Sequence, residues 1–152
     1  MPQIPVTTRI ATDRPLVKVV NEALPNPAAA AGFSIVVPVG YRFTPVSLFM
    51  RFVTDANVGV RIVVLQLSTS SGVVFRYATV FGQSENETRF LTFGVGVAYV
   101  PWLAANFTSI IPLPSGLTLQ EGDEIAVTVS NIQVGDQLSL INSQMLSQFV
   151  AE

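Results

Sequence analysis

Three features of the sequence predict an all-β fold, an antiparallel β-sandwich or jelly-roll-like barrel preceded by an extended N-terminal arm. The first is the stretch 46–67, where two runs rich in Val, Ile, Leu and Phe flank the polar turn Thr54-Asp55-Ala56-Asn57. Such runs favour strands, and Asp-Ala-Asn followed by Gly59 is turn chemistry, so the stretch reads as a long hairpin at the centre of a sheet. The second is the alternation over 89–99, with Leu91, Phe93, Val95, Val97 and Tyr99 on one face and Thr92, Gly94, Gly96 and Ala98 on the other. The third is the overall punctuation: about nine short apolar segments separated by Gly, Pro, Asn and Asp, with no segment of convincing helical period.

Taken in order, residues 1–14 hold Pro2, Pro5, two Arg and few apolar side chains, and read as an arm. Either it is a frayed terminus or it pairs with a neighbouring subunit by strand addition. Residues 15–152 form one β-sandwich domain, since 152 residues suffice for one core and not for two. Its first strand falls within 15–24, and the Pro25-Asn26-Pro27 and Ala28–Ala31 segment makes a loop with room for one helical turn. A short strand at 33–37 is followed by the tight turn Pro38-Val39-Gly40-Tyr41. Pro45 then marks an edge or bulge ahead of the central hairpin. Residues 73–81 form a further strand joined to the hairpin by a short loop, and 82–87 is the most hydrophilic loop. A crossing segment and a Pro-punctuated edge occupy 100–114, a strand follows Glu124, and the tail from Gln144 docks on the body.

The central hairpin is apolar on both faces, broken only by Arg51, Arg61 and Gln66, so each face needs a cover from the chain or from a neighbour. Arg51 and Arg61 are therefore placed near a covered surface and paired with carboxylates. Trp102, the single Trp, is an interface or sugar-stacking candidate, or a cap on the core. The flat face of Thr92, Gly94, Gly96 and Ala98 reads as a strongly twisted strand in preference to a partner surface.

Composition excludes several kinds of chemistry. The chain has no Cys and no His, which removes disulfides, thiolate nucleophiles, the commonest general base and the usual zinc ligands. The carboxylates Glu121, Asp123, Glu124 and Asp136 lack the spaced ladder of a calcium loop and read as two solvated turns at one end of successive strands. Gly122-Asp123-Glu124-Ile125-Ala126-Val127 is echoed by Gly135-Asp136-Gln137-Leu138-Ser139-Leu140, two copies of a turn leading into a strand. No enzyme, cofactor or metal is expected. A net charge of -2 gives no basic footprint for nucleic acid. Residues 90–120 carry no charge, but Pro101, two Gly and the period of two argue against a membrane helix, and the N-terminus lacks a secretory pattern.

Charged residues make up 12% of the chain against about 25% in typical soluble domains, and mean hydropathy is +0.51. Seven of the eight cations are Arg, the cation favoured at interfaces. The low charge reads either as the heavy Val and Thr use of a β-rich chain or, in preference, as a surface buried against other subunits.

The run Val39-Gly40-Tyr41-Arg42-Phe43, the stretch from Ser47-Leu48-Phe49 through Asp55-Ala56-Asn57-Val58-Gly59-Val60-Arg61, and Leu113-Pro114 with Leu119-Gln120-Glu121-Gly122-Asp123 resemble small β-sandwich structural proteins of tailed-bacteriophage virions. The resemblance covers about 33–140. It implies a capsid decoration (cement) protein made in the host cytoplasm, sitting on the capsid exterior as a homotrimer and bridging capsomers. Its partners would be the major capsid protein and copies of itself, with no nucleic acid, membrane or small-molecule substrate. Ile4, Val6 and Arg9 are then candidates for arm contacts. Alternatives are a phage tail or fibre β-domain, or a carbohydrate-binding module using Trp102, Tyr99 and Tyr41.

Overall fold

Period-two burial of Leu, Ile, Val and Phe builds ten strands into two sheets, as seen in a computed structural model that describes residues 17–22, 27–80, 82–103 and 108–150. The strands are β1 (Val17–Glu22), β2 (Phe33–Val36), β3 (Tyr41–Val53), β4 (Ile62–Thr69), β5 (Gly72–Ala78), β6 (Thr88–Val95), β7 (Val100–Leu103), β8 (Thr108–Leu113), β9 (Glu124–Ser130) and β10 (Gln137–Phe149). One sheet has six strands in the order β1-β10-β3-β6-β8-β7, and the other has four in the order β2-β9-β4-β5. The fold is an all-β sandwich of two open sheets. Nearly every pairing is antiparallel, but β6 and β8 run parallel, which the sequence reading did not anticipate. The 1–14 arm lies outside the described residues.

Between the sheets lies one core. Leu48, Met50 and Phe52 of β3 and Leu91 and Phe93 of β6 meet Val63, Leu65 and Leu67 of β4 and Ile125 and Val127 of β9. Burying these side chains is the main favourable term in folding, at about 1.5–3 kcal/mol for each large one.

The predicted central hairpin does not form. β3 pairs with β10 and β6, whereas β4 pairs with β9 and β5, so residues 54–61 carry the chain from one sheet to the other. Each run therefore has one face in the common core. The outer face of β3 is partly covered within the chain, where Phe49 stacks on Phe90 of β6 at a centroid distance of 5.9 Å.

Several other elements agree with the sequence. The 38–41 turn closes with a Tyr41 N–H to Pro38 carbonyl bond, and Gly40 takes the positive φ of 75° that such a turn needs. Pro45 sits at a register shift between β3 and β10, a β-bulge. β4 and β5 form the expected short hairpin.

The tail from Gln144, expected to dock on the body, is built into it as the second half of β10, a thirteen-residue strand inside the six-stranded sheet between β1 and β3. No helix occurs among the described residues. On the small face of β6 the chain itself covers Gly94, over which Val97 folds back, whereas Gly96 and Ala98 beyond the strand are exposed.

Candidate functional site

Two places combine polar chemistry with exposed surface, the loop ends of the sandwich, and each is built around a buried Asp. At one end the β3–β4, β5–β6 and β9–β10 loops converge on Arg61, which is fully buried. Its Nε donates to Asp136 Oδ2 at 3.0 Å. Nη1 donates to the carbonyls of Asn57 and Gly59, both at 2.7 Å. Nη2 donates to Asp55 Oδ1 at 2.7 Å and Asp136 Oδ1 at 3.2 Å. All five guanidinium N–H groups thus have acceptors, the condition under which a buried Arg is tolerated.

The carboxylates are equally occupied. Asp136, itself fully buried, also receives the backbone N–H groups of Asp55 at 2.8 Å and Gln133 at 2.7 Å. Asp55 receives Asn57 and Gly135 N–H groups, and the approach is so close that any side chain at Gly135 would collide with Asp55. Partial burial pushes Asp55 up, but the Asn57 amides, the Gly135 N–H and the Arg61 guanidinium outweigh it and hold the carboxyl below its ordinary value. Arg61 and Gln83 exchange backbone bonds of 3.0 and 2.8 Å, and the buried Gln83 side chain donates to Phe52 and Glu87 carbonyls. Thr54 Oγ1 closes the circuit by donating to the Ser84 carbonyl and receiving the Glu87 N–H.

This cluster is a tie, and its chemistry is that of a fixed charge network. A guanidinium stays protonated, and here every donor is used, so it offers neither a proton nor a free fork to a substrate. The cavity beside it, lined by Arg61, Gln83, Arg89 and Ser109 among others, has a volume of about 10 Å³ and holds one water at most.

Asp123 does the same work at the opposite end. Its Oδ2 receives the Gln120 N–H at 2.7 Å and its Oδ1 the Ser70 N–H at 3.2 Å, pinning the β4–β5 turn to the start of β9. The two solvated turns expected at one end are therefore two buried Asp anchors at opposite ends, because the single strand β9 runs between Asp123 and Asp136. The hydrophilic 82–87 loop is likewise anchored through Gln83, which is 2% exposed. The signal for both anchors was present in the echo. Gln120-Glu121-Gly122-Asp123 and Gln133-Val134-Gly135-Asp136 close the same turn, with Asp N–H to Gln carbonyl and Gln N–H to Asp carboxylate bonds in each. A shallow polar depression of about 280 Å³ lies next to Asp123, lined by Thr69, Ser70, Thr118 and Glu121 among others.

The interface candidates separate. Arg51 is exposed on the outer face of β3. Arg61 does pair with carboxylates, but inside its own chain, where a guanidinium shut off from solvent cannot meet a neighbour. Trp102 lies on β7, the edge strand of the six-stranded sheet, and its side chain is outside the described residues. Ile4, Val6 and Arg9 are also outside them. Of the proposed sugar-binding aromatics, Tyr41 packs edge-on against Phe149, and Tyr99 bonds the Tyr77 hydroxyl at 3.1 Å. Burial, the Tyr99 hydrogen bond and its charge push the Tyr77 hydroxyl up.

What the surface does show is exposed apolar side chains at the tied loops. Val58 is 86% exposed, Val60 54%, Val80 66% and Val134 84%. Val39, Tyr41 and Phe149 are exposed at the other end. Among the described residues no group of three or more acidic side chains is placed to hold a metal, and no helix is long and apolar enough to cross a membrane.

No family model matches the chain, and no curated protein matches it. Among solved structures it is similar to a chain from the infectious bursal disease virus Gx strain, with 17% identity and a TM-score of 0.35, covering 99% of this chain and 36% of that one. It is also similar to a chain of the IBDV viral particle, with 15% identity, a TM-score of 0.36 and 98% and 36% coverage. A mutant VP2 protein of the same virus in derived particles gives 15% identity, a TM-score of 0.34 and the same coverage. The chain spans about a third of the length of these structures.

Proposed function

We propose that the chain is a virion structural protein that acts by packing against copies of itself and other capsid components, and specifically a capsid decoration protein that bridges capsomers on the shell exterior. The observation that supports it best is the character of the surface. Only 12% of the chain is charged, and both charges of the Arg61–Asp136 pair are spent inside the fold. The tied loop end meanwhile presents four largely exposed valines. Loops held by buried ion pairs present those side chains in one arrangement, which reduces the ordering cost of association. Depletion of charge with exposed apolar anchors is the composition of an interface core. The resemblance of 33–140 to tailed-phage virion proteins supports the decoration role in particular. In this reading the chain performs no catalysis and needs no cofactor.

The test is co-sedimentation of the purified protein with expanded phage capsid shells stripped of decoration. Saturable binding that is weakened by Val58→Asp and Val134→Asp agrees with the proposal. Absence of binding, or binding unaffected by both, contradicts it.

A further inference from the structure

We propose that the outer face of the four-stranded sheet packs on the same face of a second copy, about a two-fold axis that runs along β4 and joins Arg76 of each chain to Glu124 of the other. The inference rests on the reading of the chain as a protein that assembles with itself, and it names one surface and one symmetry of that assembly.

Period two decides which side chains face outward. In β4 and β9 the core takes Leu65, Leu67, Ile125 and Val127, and Phe75 and Tyr77 of β5 pack against it. The residues between them, Val64, Gln66, Ala126, Thr128, Arg76 and Ala78, stand on the opposite face, and none of the six is buried. Most are small or β-branched. They make a flat surface that a second sheet can approach to about 10 Å, the ordinary spacing of packed sheets.

Arg76 and Glu124 are the two charged residues in the four strands of this sheet. Arg76 is exposed and Glu124 half-buried, and neither has an ion pair or a side-chain hydrogen bond among the described residues. β4 lies between them, with Arg76 opposite Gln66 and Glu124 opposite Ser68. They therefore sit about 5 Å to either side of β4 and about 7 Å apart along it.

A half-turn about an axis along β4 lays β5 of one copy over β9 of the other. Each Arg76 then meets a Glu124, twice over, which is the self-complementarity that a two-fold interface requires. With the sheets about 10 Å apart, the paired Cα atoms are about 12 Å from each other, a gap that extended Arg and Glu side chains close. An axis across the strands would instead set β5 on β5 and β9 on β9, with no such pair. The other sheet lacks this property. Its strands β3, β6, β8 and β10 contain no Asp or Glu, while β3 exposes Arg42 and Arg51, so two copies would set cation against cation.

The test is the concentration dependence of molar mass, measured on full-length chains by sedimentation equilibrium at low salt. Arg76→Glu and Glu124→Arg each turn both contacts into like-charge pairs, and each variant alone is expected to associate about tenfold more weakly, or worse, than the unaltered chain. In an equal mixture of the two variants, both contacts between unlike chains regain opposite charges, and the double variant Arg76→Glu/Glu124→Arg regains them within one sequence. Recovery of association in the mixture and in the double variant is expected. Single variants that associate as the unaltered chain does, or losses that neither the mixture nor the double variant recovers, overturn the proposal. Multimers indifferent to both reversals overturn this contact alone, whereas an unaltered chain that stays at 16.3 kDa at every concentration counts against the assembly reading as well.

Discussion

At the scale of single residues the molecule is organised by Arg61. Replacing it with Met keeps much of the volume but leaves Asp136 buried without its cation, and breaking such a pair costs about 3–5 kcal/mol. Denaturant unfolding of Arg61→Met is expected to show that loss, while the double variant Arg61→Met/Asp136→Leu recovers much of it. Equal losses in single and double variants would mean that the charges are not coupled. Asp55 gives the pH dependence. Its carboxyl is held below the ordinary value in the folded state, so the unfolded chain takes up the proton first as pH falls. Its contribution is full above about pH 4 and is lost as pH drops through the folded value, so acid unfolding should be less steep in Asp55→Asn. Sequence alone marked Arg61 as needing carboxylates. It could not supply Asp136, seventy-five residues away, although the repeated Gln-x-Gly-Asp turn pointed to that residue.

At the scale of elements, the outer faces of β3 and β6 meet through Phe49 and Phe90. A double-mutant cycle of Phe49→Ala and Phe90→Ala is expected to give a coupling of about 0.5–1.5 kcal/mol, and zero coupling would remove the stack as a stabilising contact. Most strands were legible from apolar residues that either repeat with period two, as in 88–95, or crowd into one run between turn residues, as in 46–53. Pairing was less legible. The 54–61 segment has turn residues and separates two apolar runs, which is equally the pattern of a hairpin and of a crossing between sheets. What decides for the crossing is Asp136, Gln83 and Glu87, which draw the loop toward β10 and the 82–87 loop. β10 was not read as one strand for a different reason. Its buried positions include Ser139, Ser143 and Ser147 beside Leu138, Leu140 and Met145, so buried serines interrupt its hydrophobic signal. The parallel β6–β8 pair has no sequence signature at this length.

At the scale of the whole molecule, two open sheets with rigid loop ends leave apolar side chains facing outward, and charge is too scarce to offset them. The exposed valines of the Arg61 end and the aromatic pair Tyr41 and Phe149 at the other end are two separate surfaces. The bridging role proposed above calls for more than one such surface, because bridging holds neighbours together instead of binding one partner. The most direct test of the account is the molar mass of the purified full-length chain by size-exclusion chromatography with light scattering over a range of concentrations. The account predicts a discrete multiple of 16.3 kDa that persists on dilution; a single species at 16.3 kDa at every concentration would contradict it.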